Sequence, residues 1–140
     1  MHPFRKAVED RDEAAIQAML ADAVVFTSPV AFKPYVGKPI TAAILRGVLR
    51  IFEDFRYVRE IAGNDGRDHA LVFETGISGA PGVKITGCDF LHFDEDGLID
   101  EFMVMVRPLS GATALSEAMG AQFERIQQEA LELAEKFATA

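Results

Sequence analysis

The chain has 140 residues, of which 49% are apolar and 26% charged, the size and balance of one compact globular domain with its own core. Its net charge of −8, with no basic cluster, excludes nucleic acid and anionic membranes as natural partners, and no apolar run approaches the roughly 18 residues of a membrane-spanning helix. A lone cysteine, Cys88, forbids an internal disulfide. Together with a charged N-terminal stretch where a leader would be apolar, it points to the cytoplasm.

In chain order, Pro3 to Leu20 predicts helix, broken by "EDRD" into two short pieces with Asp10 or Asp12 capping the second. Residues 23–28, "AVVFTS", predict a strand ended by Pro29. A proline-rich loop runs to Pro39, which suits the first turn of a helix. Ile40, Ile44, Val48 and Ile51 then recur at helical spacing, with Arg46 and Arg50 on the other side. Four strands are expected next, over Phe55–Ile61, His69–Ser78, Val83–Phe93 and Leu98–Arg107, separated by "GNDG", "GAPG" and "DEDG". Such short Gly/Asp/Asn/Pro turns join antiparallel neighbours. Helices followed by a meander make an α+β pattern.

Two of these strands are apolar at both parities, so both faces of the sheet need cover. The helices serve one. Phe90, Met103, Met105 and Phe73 are expected on the other, covered by a second copy of the chain as a homodimer. Ser110 to Ala140 predicts a long amphipathic helix, kinked at Gly120, with Leu115, Met119, Phe123, Ile126, Ala130, Leu133 and Phe137 as its stripe. It reads as a separate element, dividing the chain into a domain at 1–110 and a C-terminal helix at 111–140.

The order helix, short strand, helix, meander, with "ADAVVFTSPV", "YVGKPITAAI" and "CDFLHFDEDGLI" in sequence, resembles the nuclear transport factor 2-like superfamily. Within it, the SnoaL-like group is the nearest. That resemblance implies a cone: a curved antiparallel sheet wrapped on the N-terminal helices around an apolar pocket, in proteins that range from isomerases, cyclases and dehydratases to non-catalytic binding domains. Ketosteroid isomerases in this superfamily place an Asp base before a Pro on the first strand, where this chain has Ser28. They place a Tyr donor on the first helix, where it has Phe4, and a second, protonated Asp on the strand before the acidic turn, where it has Asp89. One of three roles is kept. The Asp-Arg-Asp set of limonene epoxide hydrolases has no inward-facing Arg to match it.

The residues themselves single out Asp89, an acid inside the apolar run "GCDFLHF". Alternation puts it on one face with Ile85, Gly87, Leu91 and Phe93, leaving Cys88, Phe90 and His92 on the other. Among apolar neighbours its pKa would rise. It is either a polar anchor or acid for a carbonyl-bearing ligand, or a carboxyl bonded to structure. A two-residue turn at Ala80–Pro81 would pair Glu74 with Gly87 and set Glu74 diagonally beside Asp89, as a second catalytic carboxylate; a slip of one residue turns it outward. Phe26, Ser28, Tyr57, Leu91, Phe102 and Val104 are expected to line the pocket, with Tyr35 at its rim. Ser28 has the alternative of bonding its own backbone. His92 reads as a sheet-surface residue and "DEDG" as a solvated turn rather than a calcium loop. No metal-ligand spacing, phosphate loop or nucleophile elbow occurs. The reading is therefore cofactor-free acid/base chemistry on an apolar small molecule, or ligand binding without turnover.

Overall fold

The computed structural model describes residues 1–139. Two short helices, α1 (Pro3–Glu9) and α2 (Glu13–Ala18), open the chain. Each has a side-chain cap: the His2 Nδ1 accepts from the Phe4 amide at 3.0 Å, and the Asp12 Oδ1 accepts from the Ala15 amide at 3.1 Å. Strand β1 (Leu20–Thr27), a two-residue β2 (Tyr35–Val36) and helix α3 (Lys38–Ile51) follow. Pro39 sits in the first turn of α3, where its missing N–H costs nothing.

The meander is β3 (Phe52–Ala62), β4 (Asp68–Ile77), β5 (Lys84–Phe93) and β6 (Ile99–Arg107). One sheet holds all six strands in the order β2-β1-β6-β5-β4-β3. It is mixed rather than wholly antiparallel, because β1 runs parallel to β6. The α+β architecture is otherwise the expected one: helices cover the inner face of a curved, open sheet.

Curvature has a local cause in β3. Glu53 pairs with Gly76 but Arg56 pairs with Glu74, so one extra residue is accommodated between them. Asp54 takes a left-handed φ of 53° there, a conformation that Asp tolerates better than most residues. The bulge also shifts the strand's phase. Phe52 points inward before it, and Phe55 and Tyr57 point inward after it.

The expected register of β4 on β5 is corrected by one residue. Phe73 pairs with Gly87 and Glu74 with Thr86. The turn is longer than Ala80–Pro81, because Gly79 and Gly82 each adopt left-handed φ values of 81° and 84°. Each closes its own tight turn, Ala80 N–H to the Ile77 carbonyl and Val83 N–H to the Ala80 carbonyl. Phe73 is therefore an inner-face residue, 1% exposed, not an outer one. Its ring lies over Gly87, where a Cβ would stand 2.2 Å from Phe73 Cζ; only glycine fits beneath it.

The C-terminal stretch is not one kinked helix. It forms α4 (Leu109–Ala121) and α5 (Phe123–Thr139), broken at Gln122. Both pack on the domain, and Leu115, Ile126 and Leu133 belong to the same core cluster as Phe4 and Phe102. Gly47 lets α5 approach α3: a Cβ there would lie 2.8 Å from Ile126 Cδ1. Arg46 and Arg50, on the outer side of α3, hold α5 through Glu129, at 3.0 and 2.8 Å to its Oε2. Arg46 also meets Glu13 of α2. Three helices are thus joined through one buried-edge ion network.

Candidate active site

A cavity of about 70 Å³ lies between the inner sheet face and helices α1, α3 and α4. Its wall is apolar almost throughout, with Phe4, Phe26, Phe52, Phe55, Phe73 and Phe102 contributing rings. Phe102 is set edge-on to Phe4 with centroids 5.5 Å apart, and Phe52 stacks on Phe55 at 5.6 Å. One acidic group opens into this space. Asp89, on the inner parity of β5, is 6% exposed and lines the cavity.

Among the described residues the Asp89 carboxyl has one hydrogen-bond partner, Tyr57 on β3. The Tyr57 hydroxyl donates to Asp89 Oδ2 at 2.7 Å, and both groups are buried. The bulge at Asp54 makes this contact possible, since without the added residue Tyr57 would fall on the opposite parity. Asp89 Oδ1 has no protein hydrogen bond among the described residues, and it is not sealed from the cavity. Burial raises the Asp89 carboxyl to about 7, against the downward pull of the tyrosine hydrogen bond. Burial, and then the negative charge of Asp89, raise the Tyr57 phenol well above its usual value. The pair therefore offers one carboxyl that exchanges its proton near neutrality, held by a phenol that stays protonated. This is the range in which a side chain serves as acid or as base.

The other expected wall residues divide. Phe26, Ser28, Phe102 and Val104 line the cavity. Ser28 Oγ already accepts from the Val30 amide at 3.1 Å, the local bond typical of a strand-end serine. Leu91 is inward and 2% exposed, but it is packed in the core away from the cavity wall. Tyr35, opposite Phe26 on the edge strand, is not among the residues that line the cavity. Its ring lies 6.4 Å from that of Phe123 of α5. Glu74 is corrected outright: it faces outward and pairs with Arg56 at 2.9 Å, both side chains about half exposed. Asp89 therefore has no second carboxylate beside it from β4.

On the outer face, His92 Nδ1 meets Asp100 Oδ1 at 2.6 Å, and that bond raises the imidazole's pKa. The acidic turn closes on itself, with Asp94 Oδ1 accepting from the amides of Asp96 and Leu98.

Residues 2–102 match the SnoaL-like domain family. The chain belongs to that family. A steroid delta-isomerase from Pseudomonas aeruginosa is 39% identical over 89% of both chains, with a TM-score of 0.80. A protein of cystatin-like fold from Silicibacter pomeroyi is 34% identical over 86% of this chain and 82% of that one, with a TM-score of 0.78. A SnoaL-like protein from Burkholderia thailandensis, 21% identical over 76% and 90% of the two chains, shares the fold at a TM-score of 0.61. No match is found among curated proteins.

Within the SnoaL-like cone, sequence reasoning missed the contribution of Phe52 and Phe55, and that of Leu115 and Met119 from α4. The first pair had a signal: three aromatics at 52, 55 and 57 fit one face of a strand only if a residue is looped out between the first two. The second pair had none, since a helical stripe does not say which surface it meets.

Proposed function

We propose that this SnoaL-like protein catalyses proton transfer on a small apolar carbonyl compound without a cofactor, with Asp89 as the acid/base and Tyr57 as the residue that positions it. The observation that carries the reading is the isolated Tyr57–Asp89 pair in an otherwise apolar cavity. Asp89 Oδ1, as carboxylate, takes a proton from the carbon next to the ligand's carbonyl. The C–H electron pair becomes the enolate double bond, and the carbonyl π pair moves to oxygen. The same carboxyl then returns the proton, to that carbon or to a conjugated one. Tyr57 stays bonded to Oδ2 throughout and keeps Oδ1 aimed at the ligand. The isomerase named among the similar structures suits a one-acid proton shuttle of this kind.

The second reading, a binding domain without turnover, is favoured by a specific observation. Phe4 has no hydroxyl and the Tyr57 O–H is committed to Asp89, so among the described residues the Ser28 O–H, whose oxygen accepts from the Val30 amide, is the one cavity hydroxyl left to meet the developing oxyanion. Deuterium exchange into cyclohexanone, followed by NMR in heavy water, separates the two. Proton transfer by Asp89 predicts exchange that rises with pH through about 7 and falls by about a hundredfold or more in Asp89→Asn. Saturable binding with no exchange above the variant's rate makes the protein a binding domain.

A further inference from the structure

We infer that helix α4 is the size gauge of the site: Leu115 and Met119 close the cavity so that it takes a neutral one-ring ketone or phenol and rejects fused multi-ring compounds. This rests on the reading that the ligand's reacting end seats against the Tyr57–Asp89 pair. The cavity holds about 70 Å³, whereas an apolar cavity of roughly 150 Å³ is what accommodates benzene. One ring therefore enters only if one wall yields by about a side chain. A four-ring skeleton needs several walls to yield together.

Most walls are fixed. On the sheet side Phe73 is seated over Gly87, with no space beneath it. Phe102, 2% exposed, is held between Phe4 and Phe26 at 5.5 and 5.3 Å. On the α3 side, the Gly47–Ile126 contact and the Arg46 and Arg50 bonds to Glu129 lock the helix onto α5. Helix α4 is itself pinned at both ends. Gly111 abuts Ile85, where a Cβ would come within 2.8 Å, and Gln122 Nε2 donates to the Gly47 carbonyl at 2.9 Å. It cannot swing away as a body.

Val30, Leu45, Val48, Leu49 and Phe55 are half-buried wall residues too, but each is branched or aromatic; the unbranched apolar side chain among the half-buried walls is on α4. Leu115 is 3% exposed and part of the core. Met119 is half-buried, and its one polar contact is a 3.6 Å approach of Gln122 Nε2 to its sulfur. An unbranched thioether is the side chain best able to move aside. Met119 is thus the wall that yields, and its volume sets how much ligand enters. Both residues lie beyond residue 102, where the family match ends. Among the described residues no Lys, Arg or His lines the cavity, so an anionic ligand has no counter-charge there, and the polar end of a neutral one has the Tyr57–Asp89 pair to meet.

The test is NMR titration of the full chain with phenol, 2-naphthol and estradiol, in wild type, Met119→Ala, Met119→Phe and Asp89→Asn. Wild type should bind phenol, and 2-naphthol and estradiol at least about tenfold more weakly. Met119→Ala should gain about tenfold for 2-naphthol, and Met119→Phe should lose about as much for phenol, the size of effect that small changes in an apolar pocket produce. Estradiol binding as tightly as phenol to wild type, an unchanged order in Met119→Ala, or no binding of phenol at all would overturn the inference. Phenol binding that is size-selective but indifferent to Asp89→Asn would leave the gauge standing and remove the Tyr57–Asp89 reading beneath it.

Discussion

Replacing Asp89 by Asn should make stability less dependent on pH, with a sign that the burial of Asp89 fixes. In the unfolded chain an Asp titrates near 3.9; in the folded protein Asp89 is raised to about 7. Between those values the native state holds a proton that the unfolded state has lost. Stability from this group is therefore greatest below the unfolded pKa, declines as pH rises through the window from about 4 to about 7, and is level above it. A gap of about three pH units corresponds to about 4 kcal/mol in full, and between 2 and 3 kcal/mol of that falls between pH 5 and pH 8. Asn keeps the shape and can still accept from the Tyr57 hydroxyl, but it does not titrate. Urea unfolding of wild type and Asp89→Asn at pH 5 and pH 8 isolates the effect, because every other titrating group cancels in the difference. The variant should gain on wild type by about 2 to 3 kcal/mol from the lower pH to the higher. A difference that stays flat would mean that Asp89 keeps the acidity of an exposed carboxyl and that the cavity does not desolvate it.

Tyr57→Phe should extend the same stability loss to higher pH and enlarge it, since it removes the one hydrogen bond that lowers the Asp89 pKa, and should cost about 1 kcal/mol for that bond; the pair of unfolding curves checks both. Glu74→Gln should leave proton exchange unchanged and alter stability by less than about 1 kcal/mol, as for other exposed ion pairs. Truncation after Gly120 should abolish cooperative thermal unfolding, because it removes Ile126 and Leu133, 0% and 3% exposed, each worth about 1.5–3 kcal/mol of burial. We propose that the outer sheet face, where Phe90 and Met105 are 39% and 53% exposed, is covered by a second copy. Light scattering should then give a dimer, and Met105→Glu a chain of 15.3 kDa, through the burial of an unpaired charge.

The meander was legible because each of its turns carries Gly with Asp, Asn or Pro, and its strand ends lie within three residues of where the pattern puts them. Asp89 was legible as well: one acid in an apolar alternating run has only a pocket or a partner to face, and here it has both. Glu74 and Phe73 were misread together, since a single residue of register decides which of two neighbours turns inward. The pattern "SGAPG" permits a two-residue turn, but two left-handed glycines close two turns in tandem. Tyr57 was a candidate with no stated partner, because its contact with Asp89 depends on a bulge set by the backbone of Asp54. The role of the tail was not legible at all. A stripe of Leu, Met and Ile says that a helix buries a face, and the small residue that receives it, Gly47, lies some eighty positions away.

The parallel pairing of β1 with β6 has a consequence for how the protein is made. Antiparallel neighbours β3 to β6 are adjacent in sequence and can associate as they emerge, but β1 must wait for the last strand before it has a neighbour beyond the two residues of β2. The 17 residues of α5 come later still. A chain under synthesis therefore carries Phe4, Val24 and Phe26 without their final cover until nearly its whole length exists. Long-range closure of this sort slows folding and leaves apolar surface open in the meantime. The cavity, walled by the first helix and by the helices after the last strand, is among the last features to form, so ligand has no site to bind on any partly made chain.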